Sequence, residues 1–101
     1  MPDKKKKARP WWVYILRCAD GTFYTGMTVD VSRRLAEHNL SPLGAKYVRS
    51  RRPVSLVYTK KFPDRARATA EELRIKRLSR QQKSNMMLHR QKKGHLIDKE
   101  P

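Results

Sequence analysis

Two tyrosines, an arginine, a histidine and a glutamate are spaced along this chain in a way that suits chemistry on a phosphate group. Tyr14 sits in the block Val13-Tyr14-Ile15, and Tyr24 opens the block Tyr24-Thr25-Gly26 ten residues later. Arg34 follows after another ten residues, and His38 comes four residues after it. Residues four apart on a helix share a face, so Arg34 and His38 point the same way. An arginine fork matches a phosphate group and stays charged at any working pH. Histidine takes or gives a proton near neutrality. Glu72 lies in a later helical stretch, between Ala68 at i−4 and Ile75 at i+3. A carboxylate in that setting can hold a hard divalent cation, Mg2+ or Mn2+, which keeps several waters and takes substrate phosphate as a further ligand.

Each residue also has a plainer reading. Arg34 and His38 could lie on a solvated helix face. The tyrosine rings could cover a core with their hydroxyls in water, and Glu72 could pair with Lys76 at i+4. Neighbours act as controls: Arg33 points about 100° away from Arg34, and Glu71 should face elsewhere than Glu72. Gly26 lies inside a strand pattern, where glycine costs stability. It marks a bulge or a place where another backbone or a ligand comes close.

These groups need a scaffold. Asp20-Gly21, between the two tyrosine blocks, favours a tight hairpin turn joining strands over residues 11–18 and 22–28. Pairing those strands brings Tyr14 and Tyr24 together. Asp30 or Thr28 caps a helix from Val31 to about Asn39, and Ser41-Pro42-Leu43-Gly44 breaks it. Residues 44–52 read as a basic loop, in which Lys46, Tyr47, Arg49, Arg51 and Arg52 suit phosphate contact and base stacking. Pro53 opens a third strand over 54–59. Asp64 caps a second helix running to about Gln82. Its apolar positions form two patches, Ala66/Ala70/Leu73 and Ala68/Ile75/Leu78, as expected for a helix contacted on more than one side. The order β-β-α-β-α predicts an α+β layer around a small, at least partly antiparallel sheet. Residues 1–10 read as a basic, disordered arm, 11–83 as the domain and 84–101 as a basic C-terminal helix or tail.

Composition narrows the partner. The 101 residues carry 25 Lys and Arg against 9 Asp and Glu, a formal net charge of +16. Self-repulsion of that size works against compactness and favours binding a polyanion. Nucleic acid is the expected partner, DNA ahead of RNA, with no obligate protein partner. A membrane is not expected, because no apolar run reaches transmembrane length and no basic amphipathic helix has bulky anchors. One cysteine, Cys18, excludes an intramolecular disulfide and a cysteine-based zinc knuckle. The basic N-terminus is followed by no cleavage pattern, so the expected location is the cytoplasm.

Taken together, Val13-Tyr14-Ile15, Tyr24-Thr25-Gly26, Arg34, His38 and Glu72 resemble the GIY-YIG nuclease superfamily over about residues 12–83. The closer resemblance is to its small single-domain bacterial branch of uncharacterised proteins. The resemblance implies a three-stranded antiparallel sheet flanked by helices, and hydrolysis of phosphodiester bonds with one divalent cation. It implies that Glu72 binds the metal, that Arg34 holds the scissile phosphate, and that Tyr14, Tyr24 or His38 helps activate the attacking water. Gly26 would let the second strand approach the site closely. Two positions depart from the pattern: Trp12 stands where the first block has glycine, and Met27 where some nuclease members have lysine. With no second domain to read a sequence, recognition of DNA shape (nicks, branches, single strands) is expected. The alternative is a non-catalytic module with the same fold that binds DNA or structured RNA.

Overall fold

The structure, a computed structural model, describes residues 9–87. The rest of the basic arm and the tail beyond residue 87 lie outside the described residues. Three strands, β1 (Trp11–Arg17), β2 (Phe23–Thr28) and β3 (Ser55–Phe62), form one antiparallel sheet in the order β2-β1-β3. The helices are α1 (Val31–Leu40), the single turn α2 (Lys46–Arg49), α3 (Arg65–Lys76) and α4 over residues 80–87. This is the α+β, three-stranded antiparallel fold expected from the sequence.

The sheet is covered on both faces, and the parity of β1 decides what each face receives. Val13 and Ile15 pack with Tyr58, with Ala68 and Ile75 of α3, and with Met87 of α4. Tyr14 and Leu16 point the other way and pack with Cys18, Val48 and Val54, flanked by Leu35 of α1. Residues Val13, Tyr14, Ile15 and Leu16 are therefore all buried. The central strand shows no exposed face, because helices shield both sides.

Local sequence explains the joints. The hairpin is closed by Gly21 N–H donating to Cys18 O (2.9 Å) and Cys18 N–H donating to Thr22 O (2.8 Å). Gly21 takes a φ of 85°, the left-handed position that ends a three-residue hairpin loop. Asp30 caps α1 by accepting from Arg33 N–H at 3.0 Å, and Asp64 caps α3 by accepting from Arg67 N–H at 2.9 Å. Asn39 bonds both the N–H and the C=O of Val54, tying the end of α1 to the entry of β3.

Four local expectations are corrected. The basic loop contains a helical turn, α2, whose Val48 is fully buried. The third strand runs on to Phe62, because Lys60 and Lys61 pair with Val13 and Trp12 of β1. Their exposed charges suit an edge strand, which must resist pairing with another chain. The second helix ends at Lys76, short of Gln82. Ser79 Oγ accepts from Gln82 N–H (3.1 Å) while Gln82 Oε1 accepts from Ser79 N–H (2.8 Å), a reciprocal capping box that starts α4. That Ser-x-x-Gln pattern was readable in the sequence. Finally, α3 is buried on one side only: Ala68 and Ile75 are in the core, whereas Ala66, Ala70 and Leu73 are exposed.

Candidate active site

The site begins with register. Tyr14 on β1 stands directly opposite Gly26 on β2, and Leu16 stands opposite Tyr24. With no side chain at Gly26, the Tyr14 ring lies across the β2 backbone: a Cβ at Gly26 would fall 2.5 Å from Tyr14 Oη and 2.7 Å from Cζ. Gly26 is thus not a bulge but the seat of the Tyr14 phenol. Tyr24 lies on the same face, its ring 6.5 Å from that of Tyr14.

Gly26→Ala is expected to destabilise the fold by about 1–3 kcal/mol, because the buried Tyr14 ring has nowhere to retreat without overpacking. It should also displace the Tyr14 hydroxyl. Chemical denaturation measures the first effect; an alanine variant as stable as wild type would show that the ring moves freely.

Helix α1 brings the next two groups. His38 is fully buried, its ring 5.8 Å from Tyr14 and 5.3 Å from Tyr24. Its Nδ1 accepts from the Ala45 backbone N–H at 3.3 Å, and its Nε2 lies 2.9 Å from Tyr14 Oη. A nitrogen that accepts carries no proton, so in the neutral ring the proton sits on Nε2 and is donated to Tyr14. Burial, with the positive charge of Arg34 beside it, pushes the His38 pKa down to about 4, against the pull of Glu37. His38 therefore positions Tyr14. It is not placed to take a proton from water itself, since its ring is shielded and both nitrogens are engaged.

That arrangement has a pH signature. The folded pKa of His38 lies below its ordinary 6.5. Its contribution to stability is complete above pH 6.5 and is lost as the pH falls toward about 4, because the unfolded chain binds a proton that the native ring refuses. The shift corresponds to about 3 kcal/mol. Urea unfolding across this range should show wild type losing that much more stability than His38→Gln, which does not titrate. Parallel curves would mean that the ring is not held neutral.

Arg34 is held by its Nη1, which donates to Glu37 Oε1 (2.8 Å) and to Leu43 O (3.0 Å). Its charge and hydrogen-bonding reach bear on the Tyr14 hydroxyl. Burial, helped by Tyr24, pushes the Tyr14 phenol up to about 12, while Arg34 pulls it down. The control residue Arg33 is 63% exposed and reaches Glu37 only at 3.9 Å. Glu37, three residues after Arg34, went unread in the sequence, although i,i+3 spacing marks it as a partner.

Glu72 comes from α3, on the other side of the sheet, and its charge is felt at Tyr14. Its side chain is 16% exposed and lies 3.4 Å from Lys76 Nζ, the pairing that the plainer reading predicts. Glu71 faces elsewhere, locked by Arg74 at 2.9 and 2.7 Å, and this holds its carboxyl below the usual range. Of the two, Glu72 is the more lightly committed.

The basic loop divides. Lys46 and Arg49 are exposed. Arg52 instead spans the end of α1, donating to Glu37 O at 3.2 Å and also to His38 O and Ser41 O. Arg51 is tied to Asp20 at 3.0 Å, and its guanidinium lies 3.8 Å from the Tyr47 ring centroid. Tyr47 in turn stacks on Tyr24 at 6.1 Å. Arg51, Arg52 and exposed Tyr47 thus also make contacts within the domain that brace the site.

The model of the GIY-YIG catalytic domain matches residues 10–85. The chain belongs to the GIY-YIG family. The UPF0213 protein of Desulfotalea psychrophila is 52% identical over 77 residues, covering 76% of this chain and 70% of its own. A UPF0213 protein of Halobacterium salinarum is 55% identical over 71 residues, covering 70% and 91%. A protein of E. faecalis solved by solution NMR shares the fold with a TM-score of 0.57 and 41% identity, covering 88% of this chain and 90% of that one. The matched stretch includes Tyr14, Tyr24, Arg34, His38 and Glu72. Met27 packs against the core on the α3 side, its sulfur 3.6 Å from Thr69 Oγ1. No helix among the described residues is long and apolar enough to cross a membrane.

Proposed function

We propose that this GIY-YIG chain is a divalent-metal-dependent endonuclease that hydrolyses phosphodiester bonds in DNA and selects its substrate by shape. The observation that carries the reading is the convergence at Tyr14. The hydroxyl receives His38 and neighbours Tyr24, and the charge of Arg34 bears on it.

The donor set fits one hard cation. Among the described residues no group of three or more His, Cys, Asp or Glu converges to cage a transition metal. Glu72 alone suits Mg2+ or Mn2+, which need only one or two carboxylates and complete their shell with water and substrate phosphate. Displacing Lys76 costs little, since its side chain is half exposed and an i,i+4 helix pair is worth about 0.3–0.5 kcal/mol. Such a cation, when bound, supplies charge neutralisation at the phosphate and a more acidic water.

The remaining work belongs to the chain. Arg34, fixed through Nη1, offers the rest of its fork to a non-bridging phosphate oxygen. Tyr14 Oη accepts from His38 Nε2, so its own O–H is free to donate into the site and orient the attacking water. Tyr24 is half-buried, and no hydrogen bond to its hydroxyl is found among the described residues. It is the phenol placed to relay the water's proton, releasing its own to bulk solvent as it accepts. Exposed Lys46 and Arg49 supply backbone contacts to DNA.

A second reading, a binding module that does not cleave, is favoured by the Glu72–Lys76 pair, which neutralises the proposed metal ligand. Labelled single-stranded, duplex, nicked and branched DNA incubated with Mg2+ or Mn2+, against EDTA, separates the two. Metal-dependent cuts support the nuclease. Tight, salt-sensitive binding without cuts under any metal would establish the module instead.

A further inference from the structure

Three consecutive carbonyls in the connection between α1 and α2 each receive an arginine. Arg52 donates to Ser41 O, Arg49 to Pro42 O at 3.2 Å, and Arg34 to Leu43 O at 3.0 Å. Within the turn, Leu43 N–H donates to Ser41 Oγ at 3.0 Å and Gly44 N–H to Ser41 O at 3.1 Å. A segment pinned at so many points is a rigid feature. What it presents is apolar: Leu40 is 82% and Leu43 69% exposed, the two most exposed large hydrophobics among the described residues, with exposed Pro42 between them. Single surface leucines need no explanation, but a braced apolar knob beside a candidate site does.

We propose that this knob is a wedge that enters the base stack of DNA beside the scissile phosphate and selects positions where bases are already unpaired or poorly stacked. The inference rests on the nucleic-acid reading above. Arg34 supplies the connection: the same guanidinium that would hold the phosphate holds the carbonyl of Leu43, so bases flanking that phosphate come within reach of the leucine side chains. Charge supplies the partner. A chain of +16 repels a second copy of itself and attracts a polyanion, and Lys46 and Arg49 stand exposed just beyond the knob. Leucine and proline are among the side chains that proteins insert between base steps. Opening a perfect duplex costs stacking and pairing that a bulge or nick has already lost, so a wedge discriminates between them.

The test uses the full chain in EDTA, so that binding is read without cleavage, on duplexes carrying 2-aminopurine next to a bulge, at a nick, or in perfect pairing. Wild type should brighten the probe at the bulge and nick and bind those sites about tenfold tighter than perfect duplex. The double variant Leu40→Ser/Leu43→Ser should lose both the brightening and the preference. Its salt dependence, set by charged residues, should match wild type. Both leucines are solvent-exposed, and an unchanged unfolding midpoint confirms an intact fold. Binding without brightening in wild type, or brightening retained by the variant, overturns the wedge while the nuclease reading stands. Brightening with no cleavage under any metal leaves the wedge standing and removes the nuclease. A dimer in sedimentation that vanishes in the variant would assign the knob to a second copy and overturn the proposal.

Discussion

Glu72→Ala is expected to lower metal-dependent cleavage by about 10³-fold, with DNA binding retained. A cation on the transferring phosphate supplies several kcal/mol of transition-state stabilisation, and about 4 kcal/mol corresponds to ~10³ in rate. Glu72 is held only by Lys76 at 3.4 Å, whereas Glu71, one residue earlier, is locked to Arg74 by two hydrogen bonds. Glu71→Ala is therefore the matched control and should cleave nearly as wild type. Removing Glu72 deletes a negative charge from a basic surface, so affinity for DNA should hold or rise slightly. Single-turnover cleavage with fluorescence anisotropy reads both quantities. Equal loss in the two variants would place the metal elsewhere, and full activity in Glu72→Ala would remove this residue from the mechanism.

The second large effect separates the two tyrosines. Tyr24→Phe is expected to reduce the rate by about 10² to 10⁴, the usual weight of a positioned general base, with little change in stability. The ring remains, and with it the contacts to His38 and Tyr47; only a hydroxyl without a described partner is removed. Tyr14→Phe should behave differently. It strands the buried Nε2–H of His38, at a cost of about 1–3 kcal/mol to the fold, alongside any loss of activity. Rates and unfolding midpoints for both variants decide the assignment. If Tyr14→Phe leaves stability intact and alone stops the reaction, the proton acceptor is Tyr14 and the proposed roles are exchanged.

Much of the scaffold was legible because it depends on neighbours in the chain. Asp30 and Asp64 cap their helices through N–H groups three residues on, and Asp20-Gly21 closes the hairpin with its own backbone. The i,i+4 spacing of Arg34 and His38 did put both beside Tyr14. The failures were of two kinds. Some were local signals that went unread, such as the Ser79–Gln82 box that divides the last helical stretch and Glu37 at i+3 from Arg34. Others could not be read locally at all. Nothing near Arg52 in sequence says that it spans the end of α1, fourteen residues back at His38, and nothing near Tyr47 says that it stacks on Tyr24.

The sequence by itself determined which residues share a face, where the elements start, and the family to which the chain belongs, because periodicity, caps and motif spacing act over a few residues. Tertiary structure decided what stands opposite each face. The antiparallel register sets Tyr14 over Gly26, the folding back of α2 brings the Ala45 amide to His38 Nδ1 and so selects its tautomer, and the layering brings Glu72 from the far side of the sheet within the field of Tyr14. These arrangements involve residues up to 58 positions apart in the chain, Tyr14 and Glu72. Such contacts are chosen by packing two buried faces at once, and no local spacing encodes them.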